Sequence, residues 1–291
     1  MKRTFLAVAL AASLIACRPS HGNRIIIGSK NFTESMILGE IIAQQLETHA
    51  QVPVQRRFYL AGTYICQQAM LAGRIDIYPE YTGTALMAIL KQSPEGTPAE
   101  VHERVKSAYE KQFHLFVGDS FGFNDTFAIE IRGEDARRLH LKTISQAAAY
   151  TPHWRAGFGY EFMERPDGYK GLAQTYGLHF AEPPRIMDLG LLTRALKEKQ
   201  VDLIAGNATD GLIPAFDLFV LDDDRHYFPP YEAVPIVRED ALVSHPEIKP
   251  ALQQLAGKIS DDDMRRLNYA VDGEHRDVTQ VVREFLKSKG L

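Results

Sequence analysis

The sequence predicts an α/β protein of two lobes arranged as a clamshell. Three observations carry this. From residue 24 onward, short apolar strand patterns alternate with amphipathic helical patterns, the order that builds parallel βαβ units. The alternation breaks at HLFVGDSFGFNDTFAIEIR (114–132), where two strand-like runs flank a Gly/Asn/Asp turn region and a second α/β series begins. A further crossing near 217–232 brings the chain back, so two series are joined by two segments. The assignment is lobe 1 over 24–122, lobe 2 over 123–219, and a return to lobe 1 with C-terminal helices over 220–291.

The elements follow in order. RIIIGS reads as a buried strand, and TESMILGEIIAQQLETH follows as a helix with Thr33 as candidate N-cap. VPVQRRFYL is a second strand, TYICQQAMLAG a helix ending in Gly73, IDIYPEY a third strand and TGTALMAILKQ a third helix. Pro98 opens the helix PAEVHERVKSAYEKQ. In the second series, KTISQAAAY, DGYKGLAQTYG and LGLLTRALKEKQ read as helices, and RAGFGY and VDLIAGN as strands. FDLFVLDDD and YFPPYEAVPIVRED cross back, Ser260 caps a helix whose first turn is Asp261-Asp262-Asp263, and the last helix ends in Lys and Gly. These C-terminal helices are expected to pack on lobe 1.

The chain has 291 residues, 45% hydrophobic and 24% charged, with formal net charge −4. That is globular composition without the basic excess that a phosphate backbone demands, so nucleic acid is not an expected partner. The N-terminus has Lys2 and Arg3 and then an apolar run to Ala16, the layout of a signal peptide (1–16). Leu14-Ile15-Ala16-Cys17 resembles a bacterial lipobox, which implies lipidation at Cys17, a tether over 17–23 and a membrane-anchored lipoprotein at the periplasm or cell surface. Arg18 leaves inner and outer membrane both open. Cys66, the other cysteine, is expected to be a small buried apolar side chain.

Enzyme signatures are missing. There is no G-x-S-x-G elbow, H-E-x-x-H pair, P-loop or G-x-G-x-x-G, and the ten histidines lack metal spacing. Polar and aromatic groups instead gather at strand-to-helix turns: GSKNFTE (28–34), YPEYTGT (78–84), FNDTFA (123–128), ERPDG (164–168), GNATDG (206–211) and FPPYEA (228–233).

This ordered set resembles the glycine betaine/carnitine/choline-binding proteins of osmoprotectant ABC importers, over nearly all of 24–291. The resemblance implies a type II periplasmic-binding-protein clamshell, no cofactor, an ABC permease and ATPase as partners, and a monomer. It implies a trimethylammonium head in a box of rings and a carboxylate held by basic and hydroxyl groups. By motif, Lys30, Thr84 and Arg165 match the carboxylate donors, Tyr81 and Tyr231 match box walls, Asp125 matches the acid beside the cation, and Phe127 stands where a tyrosine is common. The chemistry agrees: a quaternary ammonium has no N–H to donate, whereas ring faces attract it by roughly 0.5–2 kcal/mol each, and Arg grips a carboxylate bidentately.

Asn207 departs from the pattern, standing where a box tyrosine is usual. Either one wall is lost, or Asn207 serves a larger betaine such as ergothioneine. Each residue also has a purely structural alternative. Lys30 is then a surface lysine, Tyr81 and Phe127 core rings, Thr84 a helix cap and Asp125 an Asx-turn residue. Arg165 pairs with Glu161 or Asp167, Asn207 is a turn residue, and Tyr231 covers the hinge. Tyr78, Glu80 and Trp154 are assigned to structure. A receptor for a polar amino acid and an extracytoplasmic enzyme on the same scaffold are the competing functions.

Overall fold

β1 (Ile25–Lys30) is buried along its whole length, as a central strand covered on both faces must be. It pairs in parallel with β2 (Val54–Ala61) and β3 (Ile77–Tyr81). The computed structural model describes residues 24–291, so the expected signal segment, Cys17 and the tether lie outside the described residues. Helix α1 (Thr33–Gln45), continued by a wider turn over Leu46–Ala50, and α2 (Thr63–Leu71) make the crossovers. After β3 the chain turns into α3 (Thr82–Thr84), wider turns over Ala85–Ile89, α4 (Pro98–Phe113) and β4 (Leu115–Val117).

The second lobe runs β5 (Phe127–Arg132), α5 (Gly133–Leu139), α6 (Ile144–Ala147), β6 (Ala156–Phe158), α7 (Tyr160–Glu164) and α8 (Tyr169–Tyr176). It continues through β7 (Arg185–Ile186), α9 (Leu189–Lys197), β8 (Leu203–Asn207), α10 (Leu212–Ala215) and β9 (Leu218–Leu221). The return adds β10 (Ala233–Arg238), α11 (Glu239–Ser244), α12 (Ile248–Gln253), α13 (Asp261–Asp272) and α14 (Val278–Lys289).

The sheet orders are β2-β1-β3-β10-β4 and β7-β6-β8-β5-β9. Parallel pairing holds where the sequence alternation predicts it, but β10 and β5 insert antiparallel. Both strands arrive directly from the other lobe. They enter their sheet at the cleft end, where the parallel strands finish, and therefore run the opposite way. The crossing segments pair with each other: Asn124 bridges Glu232, Asp125 N donates to Tyr231 O at 3.1 Å, and Phe121 N donates to Ala233 O at 2.9 Å. The hinge is thus a short two-stranded ribbon.

The C-terminal helices bury Met264, Leu267, Val282 and Leu286 in one core with Ile37, Leu38 and Ile41 of α1, the expected placement on the first lobe. Ser260 and Asp263 form a capping box, as do Thr97 and Glu100 ahead of Pro98. Thr33 is a correction. It is the first helical residue and not the N-cap, and its hydroxyl donates to Asp272 of α13 at 2.6 Å. The hydroxyl ties two helices together instead of satisfying the helix's own N–H groups.

Candidate functional site

Strand ends on both lobes and the hinge ribbon converge on a cavity of about 310 Å³, at the lower end of the range for small-ligand sites. Lys30, Tyr81, Thr84, Asp125, Phe127, Arg165, Asn207 and Tyr231 all line it. These eight come from β1, β3, the turn after β3, the ribbon, β5, the end of α7, β8 and the return segment.

Lys30 closes β1. Its Nζ is ion-paired with Glu80 and lies 4.9 Å from the centroid of the Tyr81 ring. It is buried, not a surface lysine. Glu80 is held by the Tyr78 hydroxyl at 3.1 Å and by Tyr81 N at 2.8 Å, so Tyr78 and Glu80 serve the fold by fixing the lysine. An ammonium has three donors, so Lys30 keeps capacity for a further acceptor.

Tyr81 ends β3, and its hydroxyl donates to Glu34 Oε1 at 2.7 Å. Gly83 follows because a Cβ there would lie 2.6 Å from the Pro230 carbonyl and 2.8 Å from the Tyr231 ring. Glycine lets the return segment pack against the turn. Thr84 is buried and its side chain makes no capping bond.

Phe127 sits edge-on to Phe162 at 4.8 Å and to Tyr231 at 5.6 Å, with the Arg165 guanidinium 5.0 Å from its centroid. Arg165 grips Asp167 through Nε and Nη2, and the Tyr231 hydroxyl donates to the same carboxylate at 2.5 Å. Of the two carboxylate partners the sequence offered, Asp167 is the one used. Nη1 has no protein acceptor among the described residues.

Asp125 is no Asx-turn residue: its Oδ1 accepts from Thr209 N at 3.2 Å, far along the chain. Burial, and then the neighbouring Glu34, push its carboxyl well above the usual carboxylate range. Burial raises Glu34 as well, although Thr209, Tyr81 and Asn268 donate to it. Two buried carboxyls facing each other favour holding one proton between them.

Asn207 ends β8 opposite Phe127. Together with Asn31, Phe32 and Leu189 it borders a second cavity of about 270 Å³ as well as the first. Among the described residues no cluster of three or more metal-ligating side chains forms, and no helix is long and apolar enough to cross a membrane.

Residues 23–288 match the family described as the substrate binding domain of ABC-type glycine betaine transport systems, OpuAC. The chain belongs to the OpuAC family. The chain is 35% identical to the carnitine transport binding protein OpuCC of Listeria monocytogenes over 281 residues, 95% of this chain and 90% of that protein. It is 34% identical to the ergothioneine transport permease/ergothioneine binding protein EgtU of Helicobacter pylori, covering 99% of this chain and 51% of that protein. A solved glycine betaine/carnitine/choline ABC transporter structure superposes with TM-score 0.75 at 34% identity, over 91% of this chain and 98% of that one. Relatives of this OpuAC chain therefore carry the two-lobed architecture and transport-binding names.

Several lining residues of the OpuAC cavity escaped the sequence reading. Phe32, Tyr160 and Phe162 add rings, and Glu34, which lines the second cavity, stands beside Asp125 as the second carboxyl. Phe32 and Glu34 lie inside GSKNFTE, where an acid in a first helical turn reads as ordinary dipole compensation. Glu161 also lines the cavity and approaches α2 of the other lobe, its carboxylate occupying the space a Cβ on Gly62 would fill. Its only sequence signal is its place one helical turn before Arg165, in the first turn of α7.

Proposed function

We propose that this chain is the extracytoplasmic substrate-binding lipoprotein of an ABC importer, anchored through Cys17, that holds a glycine betaine-like quaternary-ammonium zwitterion in the interlobe cavity. It acts as a monomer, without catalysis, and delivers its ligand to a membrane permease driven by an ATPase. The observation that carries the reading is the distribution of charge and rings: Lys30 stands on one lobe and Arg165 on the other, with Tyr81, Phe127 and Tyr231 between them. Rings and the Glu34–Asp125 pair suit a cation that has no N–H, and the two bases suit its carboxylate. A zwitterion that engages both lobes favours the closed clamshell by its differential contacts.

Calorimetric titration with glycine betaine, carnitine, choline and ergothioneine tests this. Binding of at least one zwitterion, with choline weakest for want of a carboxylate, is expected. No heat with any of the four overturns it. A second reading, a betaine larger than glycine betaine, is favoured by one observation: the wall at Asn207 is shared with a second cavity.

A further inference from the structure

We propose that Glu161 is a latch between the lobes: a carboxylate of the second lobe that caps helix α2 of the first when the cleft is closed, and so sets how tightly a ligand is held without choosing which ligand. The statement about affinity rests on the reading just given; the contact between the lobes does not.

The lobes touch on opposite faces of the first sheet. Ile25 and Ile27 of β1 pack with α1 and α13, whereas Ile26 packs with Cys66 and Met70 of α2, because alternate residues of a strand face opposite ways. On the α13 face the contact is dense. Thr209 is fully buried; its N–H donates to Asp125 of the hinge ribbon and its hydroxyl to Glu34. Asn268 Nδ2 donates to Thr209 O at 2.9 Å, and Arg265 Nε to Ala208 O at 3.2 Å. Bonds that run through the hinge ribbon make this face the pivot. On the α2 face, the hydrogen bond between the lobes among the described residues is the one Tyr64 N donates to Glu161 Oε1, at 3.4 Å.

α2 lacks a cap of its own. Its N-cap is Gly62, which has no side chain to cap with, and its first turn holds no acid. The orphan N–H groups and the positive end of the dipole at such a terminus favour a carboxylate. Glu161 occupies that place so closely that a Cβ on Gly62 would lie 2.2 Å from its Cδ. Glycine admits the carboxylate of the other lobe, where a serine would cap the helix from within and shut it out. Opening this face strips α2 of its cap. The cap is therefore a contact of the closed state, and it shifts the balance toward closure whatever the cavity holds.

The test combines small-angle X-ray scattering of the ligand-free chain with calorimetry using glycine betaine, carnitine, choline and ergothioneine. Glu161→Ala is expected to weaken every one of the four that binds by the same factor, about three- to tenfold, and to raise the radius of gyration. Gly62→Ser removes the latch and keeps the helix capped. Gly62 holds φ −82°, open to any residue; the serine Cβ displaces Glu161, and its hydroxyl caps α2 locally. This variant is expected to unfold at the same or a higher temperature than the wild type and yet to reproduce both effects of Glu161→Ala. Wild-type affinities together with wild-type dimensions in either variant overturn the latch. A loss confined to some of the ligands that bind overturns it as well, since Glu161 is then a ligand contact. If none of the four binds the wild type, the importer reading fails and the radius of gyration alone decides the latch.

Discussion

The Tyr231 hydroxyl and the Arg165 guanidinium meet on one carboxylate, that of Asp167. Tyr231 belongs to the return segment and Arg165 to the second lobe, so this junction joins hinge to lobe inside the cavity wall. Tyr231→Phe keeps the ring and removes the bond. A hydrogen bond to a charged group contributes about 1.5–3 kcal/mol, and thermal or urea unfolding is expected to show a loss of that order. Head-group binding through the ring face is expected to survive it. Unchanged stability would mean that the bond does not matter to the fold.

Arg165→Gln separates the two ends of a ligand. Loss of a charge-assisted donor is expected to weaken glycine betaine roughly 10–100-fold. Choline, which has no carboxylate, is expected to change little. Equal losses for both ligands would point to collapse of the site instead of loss of a clamp.

The Glu34–Asp125 pair makes binding depend on pH. Both carboxyls are raised in the folded protein, chiefly by burial, so they take up a proton at higher pH than free carboxylates do. A bound quaternary ammonium favours the ionised pair. Affinity is therefore expected to be highest on the alkaline side and to fall as pH drops through the raised values of the pair. Titrations in buffers of different ionisation heat are expected to show proton release on binding.

Glu130 sits fully buried in β5, and neither carboxyl oxygen has a hydrogen-bond partner among the described residues. Burial, then Asp210 and Asp125, raise its pKa well above the usual range. A raised carboxyl binds its proton more tightly when folded, so its contribution to stability is greatest below the unfolded pKa and is lost as pH rises toward the folded one. Glu130→Met, similar in shape, is expected to stabilise the protein by roughly 1–2 kcal/mol near neutral pH. The gain is expected to shrink below about pH 4. Chemical denaturation at the two pH values reads the difference.

Cys66 is expected to be inert in the native protein. It has no exposed surface, and burial pushes its thiol up to about 12. Alkylation at Cys66 is expected only after denaturant is added; rapid labelling of the folded protein would contradict this.

Legible in the sequence were the alternation of strands and helices, the cap at Ser260, the helix start at Pro98 and eight residue positions that line the cavity. These were legible because periodicity, caps and turn motifs are local, and because strand ends carry binding groups into a cleft. Tertiary structure alone decided the partners. Lys30 with Glu80, Arg165 with Asp167 and Glu34 beside Asp125 are pairings of neighbours in space, and a buried charge takes whichever partner the packing brings within reach. The antiparallel entry of β5 and β10 follows from the route of the chain between lobes, and the opening at Asn207 from two cavities meeting at one side chain. Neither is written in any short stretch of residues.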